Sequence, residues 1–232
     1  YTEPQFKSYS ERSTYIEMSD GTRLAADIIL PSQGPAQDQF PTIFFYTPYG
    51  RGYMLPKMGI VKHLGGSLLG YGWGPEFSIA DLVKSLNELV AHGYAIVSVD
   101  MRGTGASYGY QVALMPKLGK DGAEVVNWIA DQSWSDGKVG MWGPSYLGWA
   151  QYMTAAEKPE ALKCIIPEVM GFDVYTAGFR PGGIAATKWV EGFSYRLQGV
   201  NFNLLQNKPA AAPSTAVIDE DGDGKLVDEW PQ

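Results

Sequence analysis

The sequence predicts an α/β fold built on a mostly parallel sheet, with an antiparallel hairpin at its N-terminal edge. Apolar runs of strand length recur along the chain, at 42–46, 94–100, 139–142 and 164–166. They are nearly continuous rather than alternating, as expected of parallel strands that are buried on both faces. Segments with helical spacing separate them, which predicts right-handed strand–helix–strand connections. Asp20-Gly21 lies between two further apolar runs and predicts the turn of a hairpin.

The N-terminal elements come first in the chain. Residues 1–12 are polar and predict an extended arm, and the hairpin strands are expected at 15–18 and 24–30. The strand 42–46 leads into a long loop at 50–75 that contains several glycines and methionines. Loops of this length inside a compact domain tend to be functional.

Helical spacing predicts three helices, at 78–91, 119–131 and 146–157, each of them between two strands. Gly93 is placed to end the first helix in a left-handed conformation. The strand pattern stops near residue 171. The aromatic-rich segment 172–208 that follows predicts helices of a second unit.

Composition limits the classes of partner. The net charge is −7 and the sequence pI is about 4.9. No basic cluster could neutralise phosphates, so nucleic acid is not expected as a partner. No apolar stretch reaches the roughly 18 residues of a membrane span. The one cysteine, Cys164, lies in an apolar run and is expected to be a buried core thiol, so it does not indicate a redox compartment. The start at Tyr1, without Met or a signal peptide, indicates a processed or trimmed chain.

The strongest chemical signal is the segment WGPSYLG at 142–148, which lies between a predicted buried strand and a predicted helix. A serine on a sharp strand-to-helix turn is exposed above the sheet, so Ser145 is the candidate nucleophile. The N–H of Tyr146 would then point at the developing oxyanion, aided by the helix N-terminus. The match to G-x-S-x-G is imperfect, because Leu147 replaces the last glycine and Gly148 follows it. The alternative is a serine that caps an ordinary helix.

The chain resembles the X-prolyl dipeptidyl-peptidase and cocaine-esterase family of α/β-hydrolases, which includes α-amino-acid ester hydrolases and some aminopeptidases. The matching segments are MSDGTRL (18–24), TPY (47–49), HGY (92–94), DMRGTGAS (100–107), WSDGKVG (134–140), SYLG (145–148) and FRPGG (179–183). They occur in the expected order, and together they are far more specific than any one of them.

The resemblance spans about 13–185 and implies an α/β-hydrolase fold. It implies that 1–171 is the N-terminal part of the catalytic domain and that 172–232 begins a helical cap domain. It also implies that Tyr49 gives its hydroxyl to the oxyanion hole. The position of Tyr49 agrees with this, because it follows a strand at the carboxyl edge of the sheet, where ligands bind. The alternative for Tyr49 is a packing role.

A serine nucleophile needs a general base, normally a histidine oriented by a carboxylate. The chain has two histidines, His63 and His92, and both precede Ser145, whereas hydrolases of this fold have the order Ser, Asp, His. His92 is expected to cap a helix at the opposite edge of the sheet. The family places its acid and histidine after the cap, beyond this chain, as well as a C-terminal β-sandwich-like domain. We therefore expect another segment or chain to supply Asp and His, and little activity without it. The alternative is that His63, on the loop 50–75, folds over the pocket and serves as the base.

Two further motifs have alternatives. The glycines at 103, 105 and 109 follow a strand and could suggest a dinucleotide loop, but no helix begins immediately after them, so a turn fixed by Asp100 and Arg102 is favoured. The acidic segment 219–229 resembles the first half of an EF-hand loop. Its candidate ligands are the carboxylates of Asp219, Asp221 and Asp223 and the carbonyl of Lys225. Position 12 is Trp230 instead of a bidentate Glu, so a solvated acidic loop is the alternative.

The sequence thus predicts a serine hydrolase that forms a covalent acyl-enzyme, most simply a peptidase acting at peptide N-termini. A carboxylesterase or α-amino-acid ester hydrolase is the close alternative, and a non-catalytic, calcium-stabilised binding module is an alternative of another class. No catalytic cofactor is expected, and Ca²⁺ would be structural. A homo-oligomer is expected. The calcium-type loop favours a secreted protein over a cytoplasmic one.

Overall fold

The computed structural model describes residues 3–36, 39–49, 86–110 and 116–192. They form one six-stranded sheet with the strand order β1-β2-β4-β3-β5-β6. The strands are β1 (Ser8–Glu17), β2 (Arg23–Ser32), β3 (Phe40–Thr47), β4 (Ala95–Asp100), β5 (Ser135–Pro144) and β6 (Leu162–Glu168). The two long helices are α1 (Pro116–Ala130) and α2 (Tyr146–Ala156). Shorter helical pieces cover 86–91, Tyr175–Phe179, Pro181–Gly183 and 187–192.

The N-terminal hairpin is confirmed. β1 and β2 pair antiparallel from Glu17 opposite Arg23 to Ser8 opposite Ser32, and β2 pairs antiparallel with β4. The hairpin is longer than predicted, because the polar residues from Ser8 onward are strand rather than arm. β1 pairs with β2 alone in the described part of the chain, so its polar side chains stay in solvent and hide the strand pattern.

The remaining strands are parallel, which confirms the α/β fold. β4, β3, β5 and β6 run in one direction, so their carboxyl ends meet at one edge. Neighbouring residues such as Phe44 and Phe45 point to opposite faces, and each is almost fully buried. One face packs against α1 and α2, and the other against the helical residues 86–91. Burial on both faces explains the continuous apolar runs in the sequence.

Two glycines bring α1 and α2 together. A Cβ at Gly119 would lie 2.5 Å from the carbonyl oxygen of Met153, and one at Gly122 would overlap the hydroxyl of Thr154. Both Met153 and Thr154 lie on α2, so small residues on α1 allow a close helix crossing. α1 begins at Pro116, three residues earlier than predicted, because proline is favoured in the first turn of a helix.

β6 is the last strand of the described sheet, and here one prediction is wrong. Cys164 is exposed, not buried. Alternation along β6 puts Cys164 and Ile166 opposite to Ile165, which packs on the helix-covered face. Ile166 is 49% exposed, and within the described residues β6 pairs only with β5. The apolar run therefore predicted the strand correctly, but it did not predict which side chains of the strand are buried.

No helix of the described ranges is long and apolar enough to cross a membrane. The sheet ends at Glu168, and the segment after it has short helical turns, among them the one at Tyr175–Phe179. The division into domains at 171/172 remains a prediction. The part of the predicted cap beyond residue 192, with the acidic loop, lies outside the described residues. The whole of the loop 50–75 and residues 78–85 of the first predicted helix lie outside them too.

Candidate active site

Ser145 lies on the turn between β5 and α2, at the carboxyl edge of the parallel strands. Its backbone has φ 57° and ψ −119°, a conformation that L-residues rarely adopt and that costs about 1–3 kcal/mol. Two main-chain hydrogen bonds flank it. The N–H of Ser145 donates to the carbonyl of Glu168 at 2.9 Å, and the N–H of Trp149 donates to the carbonyl of Ser145 at 3.2 Å. A strained serine held between a strand and a helix has the geometry of a nucleophile elbow.

The departure from G-x-S-x-G has a steric explanation. A Cβ at Gly143, where φ is 143°, would lie 2.7 Å from Cδ2 of Leu147. Leu147 is 1% exposed and belongs to the apolar cluster on the face of the helical residues 86–91. A Cβ at Gly148 would lie 2.8 Å from the sulfur of Met170. The elbow therefore needs glycine at 143 to make room for the leucine and at 148 to make room for Met170.

The ends of the two neighbouring strands flank the elbow. Phe44 of β3 pairs with Met141 of β5, and Pro144 of β5 pairs with Glu168 of β6. Tyr49 follows β3 by two residues and thus lies at the same edge as Ser145, one strand away. It is half-buried, packs against both apolar clusters, and its N–H donates to the Thr47 hydroxyl at 3.0 Å. The structure therefore places Tyr49 just after the strand that is adjacent to the one that leads to Ser145.

Tyr146 is the first residue of α2. The first N–H groups of a helix have no partner within the helix, and the helix dipole adds partial positive charge there. The Tyr146 side chain is 4% exposed and meets the Trp149 ring edge-on at 5.8 Å, so its contribution to a reaction would come from the backbone.

The loop after β4 is occupied by a protein carboxylate. Asp100 is buried, and its carboxylate accepts the N–H of Ala106 at 2.9 Å. A Cβ at Gly105 would overlap that carboxylate. The glycine therefore provides space for the Asp100 carboxylate. This supports the interpretation of the segment as a turn rather than as a dinucleotide-binding loop.

Arg102 fixes the same loop to α1 and to the hairpin turn. Its guanidinium donates to both carboxylate oxygens of the fully buried Asp121, at 2.7 and 2.8 Å, and lies 3.0 Å from Asp20. Lys117 lies 3.0 Å from Asp20 as well. The hydrogen bond from Lys117 holds the pKa of Asp20 well below its usual range, and Asp121 raises the pKa of Arg102. The network ties three segments together at the carboxyl edge of the sheet.

The described residues do not supply a histidine at this edge. His92 precedes β4, so it lies at the opposite edge, and its Nδ1 is 2.6 Å from the carbonyl of Glu88, as expected of a helix cap. His63 lies outside the described residues, as do Asp219, Asp221, Asp223 and Lys225. Within the described ranges no group of three His, Cys, Asp or Glu side chains could hold a metal ion.

Sequence reasoning missed two side chains beside the elbow. Gln151 is completely buried in α2 and contacts the elbow backbone. Its signal was an amide on an otherwise largely apolar helix that begins at the nucleophile. Glu168, whose carbonyl holds Ser145, has a buried Oε2 with no hydrogen-bond partner among the described residues. The sequence contained no signal for it beyond its place at the end of a strand.

Comparisons with known proteins agree with this geometry. A family profile described as X-Pro dipeptidyl-peptidase (S15 family) matches residues 20–219. A Mycobacterium bovis protein that carries a serine-esterase name, Mb1866c, is 33% identical over 97% of this chain and 36% of its own length. The cocaine esterase of Rhodococcus sp. is 30% identical over 87% of this chain and 30% of its own length.

The fold matches too. The crystal structure of a CocE/NonD family hydrolase from Staphylococcus aureus aligns with a TM-score of 0.61 and 26% identity, over 84% of this chain and 34% of that one. The chain spans about a third of the length of the curated relatives it matches.

Proposed function

Since the chain belongs to the X-Pro dipeptidyl-peptidase (S15) family of α/β-hydrolases, we propose that its protein is a serine hydrolase that uses Ser145 as the nucleophile. The observation that carries the proposal is the backbone of Ser145, strained at φ 57° and held at the carboxyl edge of the sheet. Strain of this kind persists only where the surroundings enforce it, and it is typical of active sites. An ordinary capping serine would not need it.

The reaction follows from the groups around the elbow. The Ser145 hydroxyl attacks the substrate carbonyl and loses its proton to a general base. The Tyr49 hydroxyl and the Tyr146 N–H stabilise the negative charge that develops on the carbonyl oxygen. The leaving alcohol or amine takes the proton from the base and departs, which leaves an acyl-enzyme. Water, deprotonated by the same base, attacks that ester, releases the acid and restores the serine.

We propose that the base is a histidine, oriented by an aspartate, from a downstream segment of a longer polypeptide or from another chain. Three features of the described residues support a covering segment next to β6. The outer edge of β6 pairs with no described strand, and Ile166 is half exposed. Oε2 of Glu168 is buried and has no hydrogen-bond donor among the described residues. Buried polar groups in native proteins are nearly always hydrogen-bonded, so a donor is expected here.

We propose an ester as the scissile bond. The names of the Mycobacterium and Rhodococcus relatives support an ester. A peptide bond near the N-terminus of a peptide is the second candidate, because the matching family is described as an X-Pro dipeptidyl-peptidase. Ester and amide hydrolysis share the acyl-enzyme mechanism and differ in the leaving group, so the same elbow serves both.

Four further expectations from the sequence remain proposals. The segment 172–232 would begin a helical cap, and its acidic loop at 219–229 would bind a structural Ca²⁺ ion. The protein would be secreted. It would form a homo-oligomer.

The test is covalent labelling with a fluorophosphonate, followed by turnover assays on the full-length polypeptide that contains this chain. The wild type and Ser10→Ala, which removes an exposed serine on β1, should be labelled, with the phosphonate on Ser145. Ser145→Ala should not be labelled, should keep the melting temperature of the wild type and should lose several orders of magnitude in kcat. Activity of Ser145→Ala above about a tenth of wild type would reject the nucleophile, since loss of a nucleophile costs far more than that.

A second arm separates the substrate classes. The values of kcat/KM are measured for aryl esters and for X-Pro dipeptide anilides at the same enzyme concentration and are then compared. Preference for the ester supports the leading proposal, and preference for the anilide supports the peptidase. A folded wild type that is not labelled and hydrolyses neither substrate would favour the non-catalytic binding module.

A further inference from the structure

Gln151 connects the elbow to the neighbouring strand through its side-chain amide. It lies six residues after Ser145 in α2 and is 0% exposed. Its Nε2 donates to the carbonyl oxygen of Gly143 at 3.1 Å, and its Oε1 accepts the N–H of Ile166 at 2.8 Å. Gly143 is on β5 two residues before the nucleophile, and Ile166 is on β6 two residues before Glu168. One side chain thus joins the nucleophile helix, the nucleophile strand and the next strand.

The chemistry of the site requires an amide. A primary amide both donates and accepts, which matches one carbonyl and one N–H at the same time. A carboxylate could accept from Ile166 but would turn lone pairs towards the Gly143 carbonyl. An apolar side chain of similar length, such as methionine, would fill the volume and satisfy neither group. The residue type is therefore explained by the two backbone groups that it joins.

The two hydrogen bonds of the Gln151 side chain, called the bridge below, lie next to the strained backbone of Ser145. The Ser145 N–H bonds to Glu168 on β6, so the elbow is attached to β6 directly at residue 145 and through Gln151 at residue 143. Two attachments on either side of Pro144 fix both the position and the tilt of the turn. With one attachment the turn could pivot, and the Ser145 hydroxyl would move relative to any oxyanion donor.

We propose that Gln151 is a positioning residue for the serine nucleophile, one that sets the attack geometry of Ser145 without touching the substrate. The proposal rests on the proposed function, because it assigns Gln151 to the same acyl-transfer reaction. A small misplacement of a reacting group by a remote substitution can cost about 100-fold in rate. The expected effect is on kcat rather than on KM, because substrate binding does not involve the bridge.

The test compares Gln151→Met and Gln151→Glu with Val126→Ala in the full-length polypeptide. Val126 is a fully buried residue of α1 whose side chain cannot form hydrogen bonds, so Val126→Ala lowers stability and leaves both attachments of the elbow in place. We expect Gln151→Met to lower kcat about 10- to 100-fold with KM little changed, and to slow fluorophosphonate labelling of Ser145 by a similar factor. Gln151→Glu, which keeps the acceptor for Ile166, should fall between Gln151→Met and the wild type. Val126→Ala should keep wild-type kcat at a temperature where it is folded.

A second readout does not depend on catalysis. Hydrogen exchange at the Ser145 amide should become faster in Gln151→Met than in Val126→Ala at equal global stability, because the elbow loses one of its attachments. If Gln151→Met is too unstable to assay, the same comparison is made with Gln151→Glu.

The outcomes separate the two ideas. Wild-type kcat and wild-type exchange at Ser145 in both Gln151 variants would overturn the positioning role while leaving the serine hydrolase intact. Equal losses of kcat in Gln151→Met and Val126→Ala would assign Gln151 to general stability and would also overturn it. A wild type that is folded but not labelled at Ser145 would overturn the proposed function, and the positioning role with it.

Discussion

Replacement of Gly119 by alanine tests whether the contact between α1 and α2 is as close as the structure shows. The added Cβ would lie 2.5 Å from the carbonyl oxygen of Met153, whereas ordinary contact begins near 3.4 Å. That oxygen belongs to the backbone of α2, so it cannot swing away, and the helices would have to separate by up to about 0.9 Å. Overpacking of this kind costs about 1–3 kcal/mol. Alanine is favoured over glycine in a helix by about 1 kcal/mol.

The two effects oppose each other, and the steric one should win in Gly119→Ala by about 1 kcal/mol. Thermal unfolding followed by circular dichroism should then show a melting temperature about 2–4 °C lower than that of the wild type. The matched control is Gly192→Ala, where no atom of the described residues lies within 4 Å of the added Cβ and the helix preference acts, so stability should not fall. A Gly119→Ala protein as stable as Gly192→Ala would refute the close approach.

Three other predictions concern the site and its surroundings. Tyr49→Phe should lower kcat by about 10²–10³-fold and leave KM largely unchanged, since a lost oxyanion donor acts on the transition state; unchanged kcat in a steady-state assay would make Tyr49 a packing residue. The pKa of Asp20 is depressed, chiefly by Lys117, so its stabilisation is present above the ordinary pKa of about 3.9 and is lost as the pH falls below it. The stability difference between wild type and Asp20→Asn, measured by urea unfolding, should therefore shrink from pH 7 to pH 3; a constant difference would contradict the ion pair. Chelation of Ca²⁺ should lower the melting temperature if the segment 219–229 binds it, and Asp221→Asn should remove that effect, whereas identical melting curves with and without chelator would exclude the site.

The sheet could be predicted because its signal is local. Strands such as β4 are buried on both faces, so apolar residues predominate in them, and the helices between them carry one apolar side. The elbow was equally visible, because the chemistry of a strand-to-helix turn places small residues around Ser145. Where strands lie at an edge, as β1 does, solvent replaces packing on one side and the pattern is lost.

The rest depends on contacts between segments distant in the chain. The exposure of Cys164 depends on what covers the outer side of β6, about which the apolar run itself contains no information. The hydrogen bonds of Gln151 form only because β6 lies beside β5. The sequence does not reveal this, since a glutamine in a helix usually faces solvent. The close contact at Gly119 depends on where α1 crosses α2, although a glycine inside a helix is a sign that something approaches.

These observations indicate that the proposed nucleophile and the proposed base come from different segments of the polypeptide. The proposed nucleophile and its attachments to β6 come from residues 143–168, which fold as a strand, a helix and a strand close in sequence. The contacts around Ser145 are thus local: its N–H donates to the Glu168 carbonyl, and Gln151 joins Gly143 to Ile166. In the proposed reaction the base would come from another segment, because the histidine of the described ranges, His92, is at the opposite edge of the sheet. If the elbow is formed in advance, the segment that carries the base needs only to place an imidazole within hydrogen-bond reach of the Ser145 hydroxyl. Substitutions in the elbow should then change the rate of attack, whereas substitutions in the contact with β6 should change whether the base is delivered at all.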